Sequence, residues 1–147
     1  MLKNLPEKRI IDFIKKHHVL TLATKSENEL WCANCFYAYL EDENCLIFTS
    51  DIEARHIKEA VLNSFVAGSI VLETSVVGKI QGIQFQGILS KPENKILEKV
   101  KKRYLHRFPI ATIMDTTLWS LELTLIKMTD NILGFGKKLI WNKLSES

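Results

Sequence analysis

The sequence has few of the residues that interrupt regular structure, and it contains no long hydrophobic run. Six Gly and three Pro among 147 residues exclude a collagen-like repeat and leave no room for a long flexible linker. The longest stretch without a charged residue covers positions 60–72, which is shorter than the roughly 20 apolar residues of a membrane-spanning helix. The first residues are charged and lack the apolar segment of a signal peptide. We therefore expect a cytoplasmic protein with no membrane partner.

Cysteine and histidine are also scarce, with three Cys and four His in the chain. Cys32 and Cys35 form a CxxC motif, but a redox-active CxxC places its first Cys at a helix N-terminus. Here the motif lies in a segment with strand character, where side chains three residues apart point to opposite faces. The histidines show no metal-ligand spacing. We predict reduced, structural cysteines and no metal site.

The chain has the length and composition of one globular domain, which we expect to cover residues 1–147. Hydrophobic residues make up 46% and charged residues 25%, so an intrinsically disordered chain is excluded. The net charge of +3 arises from residues 91–107, which carry +5 while the remainder of the chain carries −2. This segment has helical apolar spacing, so we interpret it as a solvated helix face and expect no nucleic-acid partner. Salt-dependent binding of a polyanion to this face is the alternative.

Three segments have helical spacing, and each begins with a residue pair typical of a capping box. They predict helices near residues 5–17, 52–63 and 92–106. The capping pairs are Asn4 with Glu7, Ser50 with Glu53, and Ser90 with Glu93.

Between the predicted helices lie segments rich in β-branched and aromatic residues, which predict strands. Six of them cover residues 18–24, 30–40, 45–49, 65–72, 80–89 and 118–128, and a seventh, short strand is expected near 139–141. Because the turns are short and the strands do not alternate with helices, the pattern is mainly antiparallel. We predict a β-barrel or sandwich with peripheral helices.

One strand-to-helix junction has the composition of an anion site. Thr49 and Ser50 end a strand, and Arg55 and His56 lie in the first turn of the predicted helix. Free N–H groups at a helix N-terminus bind anions, and an Arg guanidinium matches the geometry of phosphate. We therefore predict a phosphate site between Thr49 and Arg55. The alternative is that Ser50 caps the helix and Arg55 is an ordinary surface residue.

A second unusual segment lies near the C-terminus, where Gly134 and Gly136 flank an aromatic residue and precede Lys138 and Trp141. Glycine at both positions indicates positive φ angles or a close approach of another group to the backbone. The segment is either part of a binding site or a turn before a last edge strand, with Trp141 sealing the core. No side chain in the sequence has the setting of a nucleophile or a general acid–base, so catalytic residues stay unassigned.

Several short segments along the chain match a known family pattern. They are ELWCAN (29–34), RH (55–56), IQFQG (83–87), RFP (107–109), TDN (129–131) and LGFGKK (133–138). Through these segments the sequence resembles the FMN-binding split barrels of the pyridoxamine-phosphate-oxidase-like superfamily, and in particular the bacterial YhbP-like proteins. The resemblance spans nearly the whole chain and implies a six- to seven-stranded antiparallel split β-barrel.

The resemblance also implies a homodimer that binds FMN at the subunit interface. In the superfamily, hydroxyl residues at the end of the third strand and an Arg-Lys pair hold the FMN phosphate. Thr49, Ser50 and Arg55 match this pattern, and His56 stands where Lys is usual. We expect Arg55→Ala to weaken FMN binding by at least roughly tenfold, or about 1.4 kcal/mol.

The flavin ring of the superfamily lies along the second strand, which implies contacts with Asn34 and Cys35. A Gln on a later strand often touches the ring, and either Gln81 or Gln84 matches it. The residues that would complete the site from the second copy of the chain are Lys138 and Trp141.

Two functions follow from the resemblance. The first is an FMN-dependent oxidoreductase whose substrate and electron donor the sequence does not identify, with the flavin supplying the redox chemistry. The second is a non-enzymatic split-barrel module that binds flavin or haem. In the haem case His17, His18 or His106 would be the iron ligand.

Overall fold

Seven β-strands and three α-helices follow one another in the computed structural model, which describes residues 4–113 and 116–145. The helices are α1 (Lys8–Lys16), α2 (Arg55–Leu62) and α3 (Asn94–Arg107). The strands are β1 (Val19–Ser26), β2 (Glu29–Leu40), β3 (Cys45–Ser50), β4 (Phe65–Val71), β5 (Gln81–Ser90), β6 (Thr117–Asp130) and β7 (Lys138–Asn142). Every predicted strand is confirmed, with ends that differ by at most two residues. Among the described residues, no helix is long and apolar enough to span a bilayer.

The strands form one antiparallel sheet that closes on itself. Its order is β3-β2-β1-β4-β5-β6-β7, and β3 also pairs with β6. Six strands therefore form a closed barrel, and β7 extends it by pairing with the second half of β6. The predicted fold class, a mainly antiparallel split β-barrel with peripheral helices, is confirmed.

The first predicted helix start is wrong, because Asn4 does not cap α1. The helix begins at Lys8 without a side-chain cap. The Asn4 amide nitrogen instead donates to the backbone carbonyls of Asn142, Lys143 and Ser145, at 3.0–3.1 Å. Its Oδ1 accepts a hydrogen bond from Trp141 Nε1 at 3.1 Å. Asn4 therefore links the two ends of the chain.

The other two capping pairs are also wrong. Helix α2 starts at Arg55, three residues later than predicted, and Ala54 precedes it without a side-chain cap. The intervening turn is held by Asp51, whose Oδ1 accepts from the backbone N–H of Glu53 at 2.8 Å. Helix α3 starts at Asn94, again without a side-chain cap.

The core has two parts, and their positions leave one side of the barrel uncovered. The larger part fills the barrel with alternate side chains of each strand, and helices α1 and α2 add Ile14 and Ile57 to it. The smaller part lies outside the barrel, where Val100 and Tyr104 of α3 pack on Ile47 of β3. Strands β2 and β3 are thus partly buried on both faces, whereas β1, β4 and β5 each have an exposed outer face.

Candidate functional site

A row of polar residues crosses the outer face of the barrel. Asn34 of β2 lies opposite Thr21 of β1, Thr21 opposite Ser69 of β4, and Ser69 opposite Gln84 of β5. Directly paired residues point to the same face of a sheet, and three strand spacings separate Asn34 from Gln84 by about 14 Å. Thr21 Oγ1 donates to Asn34 Oδ1 at 2.7 Å. The structure therefore brings two of the predicted ring-binding residues onto one surface.

Apolar residues surround this row. Next to the row, Ala23 of β1 lies opposite Ala67 of β4, and both side chains are small. The exposed large residues of the same face are Val19, Leu30, Phe36, Phe65, Val71 and Ile88. We call this surface of β2, β1, β4 and β5 the outer face. Since these side chains are exposed, no helix in the described part of the chain covers them.

Cys35 follows Asn34 directly and therefore points to the opposite side of β2. Its side chain lies in the barrel core, and burial raises the pKa of its thiol to about 11. The thiol is thus on the wrong side of the strand to contact a ring on the outer face. Cys32 is exposed on the outer face, and all three thiols are free. The predicted placement of Cys32 and Cys35 on opposite faces of a strand is confirmed.

The four residues predicted to hold a phosphate do not converge. Thr49 points toward α3, where its Oγ1 lies 3.3 Å from Tyr104 Oη. Ser50 points the other way, and its Oγ lies 2.6 Å from His56 Nε2. Burial lowers the pKa of His56, which favours the neutral imidazole at pH 7. Thr49 and Ser50 therefore face different environments on the two sides of β3.

Arg55, the central residue of that prediction, already has two carboxylate partners. Its Nε donates to Glu59 Oε1 at 3.1 Å, and its Nη2 donates to Glu29 Oε2 at 3.2 Å. The guanidinium carbon lies 4.1 Å from the centroid of the Trp31 ring, in a cation–π arrangement. Glu59 is buried, and a hydrogen bond from Thr24 Oγ1 at 2.6 Å holds it in place. An anion placed here would face two carboxylates.

Sequence reasoning missed this cluster of Arg55, Trp31 and the two glutamates. The spacing of Arg55 and Glu59 was a usable signal, because residues four apart on a helix are neighbours. Sequence reasoning also missed the contact between Ser50 and His56, which has the distance of a nucleophile–base pair. In the described part of the chain, however, no acidic group orients His56 through its other ring nitrogen.

The two candidate glutamines lie at different places. Gln84 is exposed on the outer face, in the row that contains Asn34. Gln81 lies at one end of the barrel and donates to Asp130 Oδ1 at 3.2 Å. Asp130 is buried and also accepts from Arg9 Nη1 at 3.1 Å. Only Gln84 of the two is therefore placed to contact a group on the outer face.

The C-terminal residues are likewise separated by strand alternation. Lys138 is exposed and pairs with Thr129, whereas Trp141 is buried in the core. Trp141 therefore seals the barrel of its own chain. Gly134 and Gly136 have φ angles of 140° and 70°, so the predicted positive φ angles are confirmed.

The histidines do not form a cluster. His17 stacks on Phe13 with ring centroids 4.2 Å apart, and its Nε2 is buried without a hydrogen-bond partner. Burial lowers its pKa. His18 and His106 are exposed. Among the described residues, no group of three or more His, Cys, Asp or Glu side chains is arranged to hold a metal ion.

Comparison with known proteins identifies relatives along most of the chain. No family model matches the sequence. The chain is 40% identical over 131 residues to a UPF0306 protein of Photorhabdus laumondii, which covers 89% of this chain and 92% of the relative. It is 38% identical over 132 residues to a UPF0306 protein of Yersinia pseudotuberculosis, which covers 90% of both chains.

Solved structures share the fold at lower sequence identity. A heme binding protein from Mycobacterium smegmatis matches 86% of this chain with a TM-score of 0.71 and 18% identity. This chain spans about half, 53%, of that longer protein. HutZ, the heme storage protein of Vibrio cholerae, matches 81% of this chain and 90% of its own with a TM-score of 0.66 and 16% identity. A FAD-binding protein from Mesorhizobium loti matches 84% of this chain and 94% of its own, with a TM-score of 0.66 and 12% identity.

Proposed function

The chain belongs to the UPF0306 family, and we propose that it is a cofactor-binding split barrel that holds the planar ring of a flavin on its outer face. The observation that carries this proposal is the row from Asn34 to Gln84, where two amide side chains flank the short side chains of Thr21 and Ser69. Structural neighbours described as FAD-binding and haem-binding support it. The finer placement among FMN-binding, YhbP-like proteins is part of the same proposal.

The outer face suits a flat conjugated ring for a steric and a chemical reason. Thr21 and Ser69 do not protrude far, so a ring can lie on the pleated surface between Asn34 and Gln84. Each of these two amides offers both a donor and an acceptor, which match the alternating nitrogen and oxygen atoms at the edge of a flavin. When bound, the flavin would supply the redox chemistry, and the chain would supply binding and orientation.

A ring on an open surface stays solvated on one side, so we propose that a second copy of the chain covers it. Strand β4, with seven residues, is about 23 Å long, and four strands are about 19 Å wide, so the outer face measures about 400 Å² in projection. Its accessible surface is larger, because side chains such as Phe36 and Phe65 protrude from it. Six large apolar side chains are exposed around the polar row, a concentration that favours association, and one face used by both copies gives a twofold dimer.

The residues that the sequence predicts to bind phosphate are poorly placed to hold the phosphate group of FMN. Arg55 is compensated by Glu29 and Glu59, and Thr49 and Ser50 point apart. We therefore assign no phosphate contact to them. An oxidoreductase activity remains part of the proposal, with its substrate and electron donor unassigned.

The test is a titration of the purified protein with riboflavin and with FMN, followed by absorbance and thermal unfolding. We expect binding of both ligands, because the ring provides most of the contact. Asn34→Ala and Gln84→Ala should each weaken binding by about tenfold, the loss of one or two hydrogen bonds. Gln81→Ala is the matched control and should change it less than about threefold. A protein that stays colourless and shows no thermal shift with either ligand would refute the proposal.

Haem is the second candidate, and a specific observation favours it. His17 Nε2 is buried without a hydrogen-bond partner in the described part of the chain, so no protein group competes with a metal ion for this nitrogen. His18 follows it and is exposed. A haem titration should give a sharp Soret band that is lost in His17→Ala or His18→Ala. His106→Ala is the third variant, and a band that persists in all three would exclude these ligands.

A further inference from the structure

A basic groove lies between the C-terminal halves of α1 and α3, away from the outer face. It has a volume of about 290 Å³ and is lined by Lys15, Tyr39, Arg103, His106 and Arg107. We propose that this basic groove binds a phosphate group. No acidic residue is among these lining residues, and two of them are guanidinium groups on one face of α3.

Both guanidinium groups are held in place by backbone carbonyls. Arg103 Nε donates to the carbonyl of Tyr39 at 3.0 Å. Arg107 Nη2 donates to the carbonyl of His17, and its guanidinium carbon lies 5.3 Å from the Tyr37 ring centroid. Each contact uses one nitrogen of the fork and leaves other N–H groups to donate. Because both side chains are already oriented and partly buried, binding costs little further conformational entropy.

Acidic residues compensate the lysines near the groove but not its two arginines. Lys15 pairs with Glu41 at 2.9 Å. Lys99 forms ion pairs with Asp42 and Glu43, which lie with Glu41 in one 3₁₀ turn. For Arg103 and Arg107, by contrast, the described part of the chain provides no carboxylate within ion-pair distance. Two like charges four residues apart on a helix repel each other, and an anion between them would remove that repulsion.

The arrangement favours phosphate over a single carboxylate. Two guanidinium forks from successive turns of α3 can bind different oxygens of one tetrahedral group, whereas a carboxylate offers two oxygens in one plane. Lys15 of α1 and His106 of α3 also line the groove and add further donors. The volume accommodates a phosphate group and a small part of the molecule that carries it.

The phosphate could belong to a free metabolite or to a phosphorylated cofactor such as FMN. This inference does not depend on the proposed function, since inorganic phosphate alone tests it. The experiment is a calorimetric titration of the whole chain with inorganic phosphate at constant ionic strength. We expect saturable binding that Arg103→Gln and Arg107→Gln each weaken at least tenfold.

Two further variants separate a specific site from general electrostatic attraction. Lys95→Gln removes one positive charge from an exposed position two turns earlier on α3, and it should leave phosphate affinity within about twofold. Arg103→Lys keeps the charge but loses the fork, so it should give an intermediate loss. In the wild-type protein, the Nε–H resonances of Arg103 and Arg107 should shift on phosphate addition, which tests the site even if an Arg107 variant fails to fold.

The outcomes are distinct. No saturable binding, unshifted Arg resonances, or equal losses in Lys95→Gln and Arg103→Gln would overturn the proposal. Displacement of phosphate by FMN but not by riboflavin would assign the groove to the phosphate arm of the cofactor. Binding of phosphate that FMN does not displace would assign it to a separate phosphorylated molecule.

Discussion

Arg55 Nε donates to Glu59 Oε1 at 3.1 Å, one turn further along α2. The same guanidinium donates to Glu29 and lies over the ring of Trp31. The positive charge that would bind a phosphate is therefore compensated within the chain, and the cluster ties the start of α2 to the first residues of β2. Because of these contacts, substitution of Arg55 should affect FMN affinity less than the sequence predicts.

Arg55→Ala should change FMN affinity by less than about threefold, rather than by the tenfold or more that the sequence predicts. The reason is that a phosphate near Arg55 would have to displace Glu59 and would then meet a buried carboxylate. Fluorescence titration of FMN measures the effect. A loss of tenfold or more would show that the Arg55 side chain leaves its two glutamates when the ligand binds.

The stability of the protein should depend on Glu59 at acidic pH. A hydrogen bond from Thr24, and then the contact with Arg55, lower the pKa of Glu59 below its ordinary value. A lowered pKa stabilises the folded state above the ordinary value of about 4.5 and loses that contribution as the pH falls through the folded pKa. Urea midpoints of wild type and Glu59→Gln should therefore converge between pH 7 and about pH 3. A constant difference across this range would assign the effect to packing.

A charge on the outer face should disrupt the proposed dimer. Phe65 is 53% exposed at the edge of this face, so Phe65→Glu would place a carboxylate in an apolar interface. Removing that charge from water without a partner costs several kcal/mol, and sedimentation should show a monomer. Leu144→Glu is the matched control, because Leu144 is exposed near the C-terminal end of the described residues. Wild-type protein that sediments as a monomer would refute the dimer.

The three thiols should react at very different rates. With a pKa of about 11, about one Cys35 thiol in a thousand is ionised at pH 8, and burial also raises the pKa of Cys45. Cys32 lies on the outer face, so a dimer would protect it. We expect one fast thiol per chain in the Phe65→Glu monomer and slower reaction in the wild type. Cys32→Ser should abolish the fast phase, and its persistence would place the reactive thiol elsewhere.

Asn4→Ala should destabilise the barrel although Asn4 lies outside every helix and strand. The substitution removes three hydrogen bonds to C-terminal carbonyls and leaves Trp141 Nε1 without its acceptor. Loss of such contacts costs about 1–3 kcal/mol of unfolding free energy, measurable by urea denaturation. Asn4→Asp keeps the acceptor for Trp141 but turns a carboxylate oxygen toward the three backbone carbonyls, so it should lose at least as much. A smaller loss in Asn4→Asp than in Asn4→Ala would show that the Trp141 contact dominates.

The strands were predictable because their signals are local. Alternation of apolar side chains and short polar turns define each strand, and the same alternation separates Cys32 from Cys35. It would also have separated Thr49 from Ser50, since adjacent strand residues point to opposite faces. The helix starts were less predictable, because Asn4 finds its partners more than 130 residues away. A residue with the spacing of a capping box can instead bond to groups remote in the chain. The spacing alone therefore does not show that the residue caps the helix.

The sequence by itself determined the seven strands, their antiparallel arrangement, the opposite orientations of Cys32 and Cys35 and the positive φ angles of Gly134 and Gly136, because each rests on local backbone preference or on strand periodicity. Only the tertiary structure decided which candidate side chains share a surface. The pairing of β2, β1, β4 and β5 places Asn34 and Gln84 in one row, and the packing of the barrel core sets the side of the sheet on which Cys35 and Trp141 are buried. Folding also brings Glu29 to Arg55, and the backbone carbonyls of Tyr39 and His17 to Arg103 and Arg107. A site depends on distances between residues remote in the chain, and those distances arise only when the sheet closes and the helices pack against it.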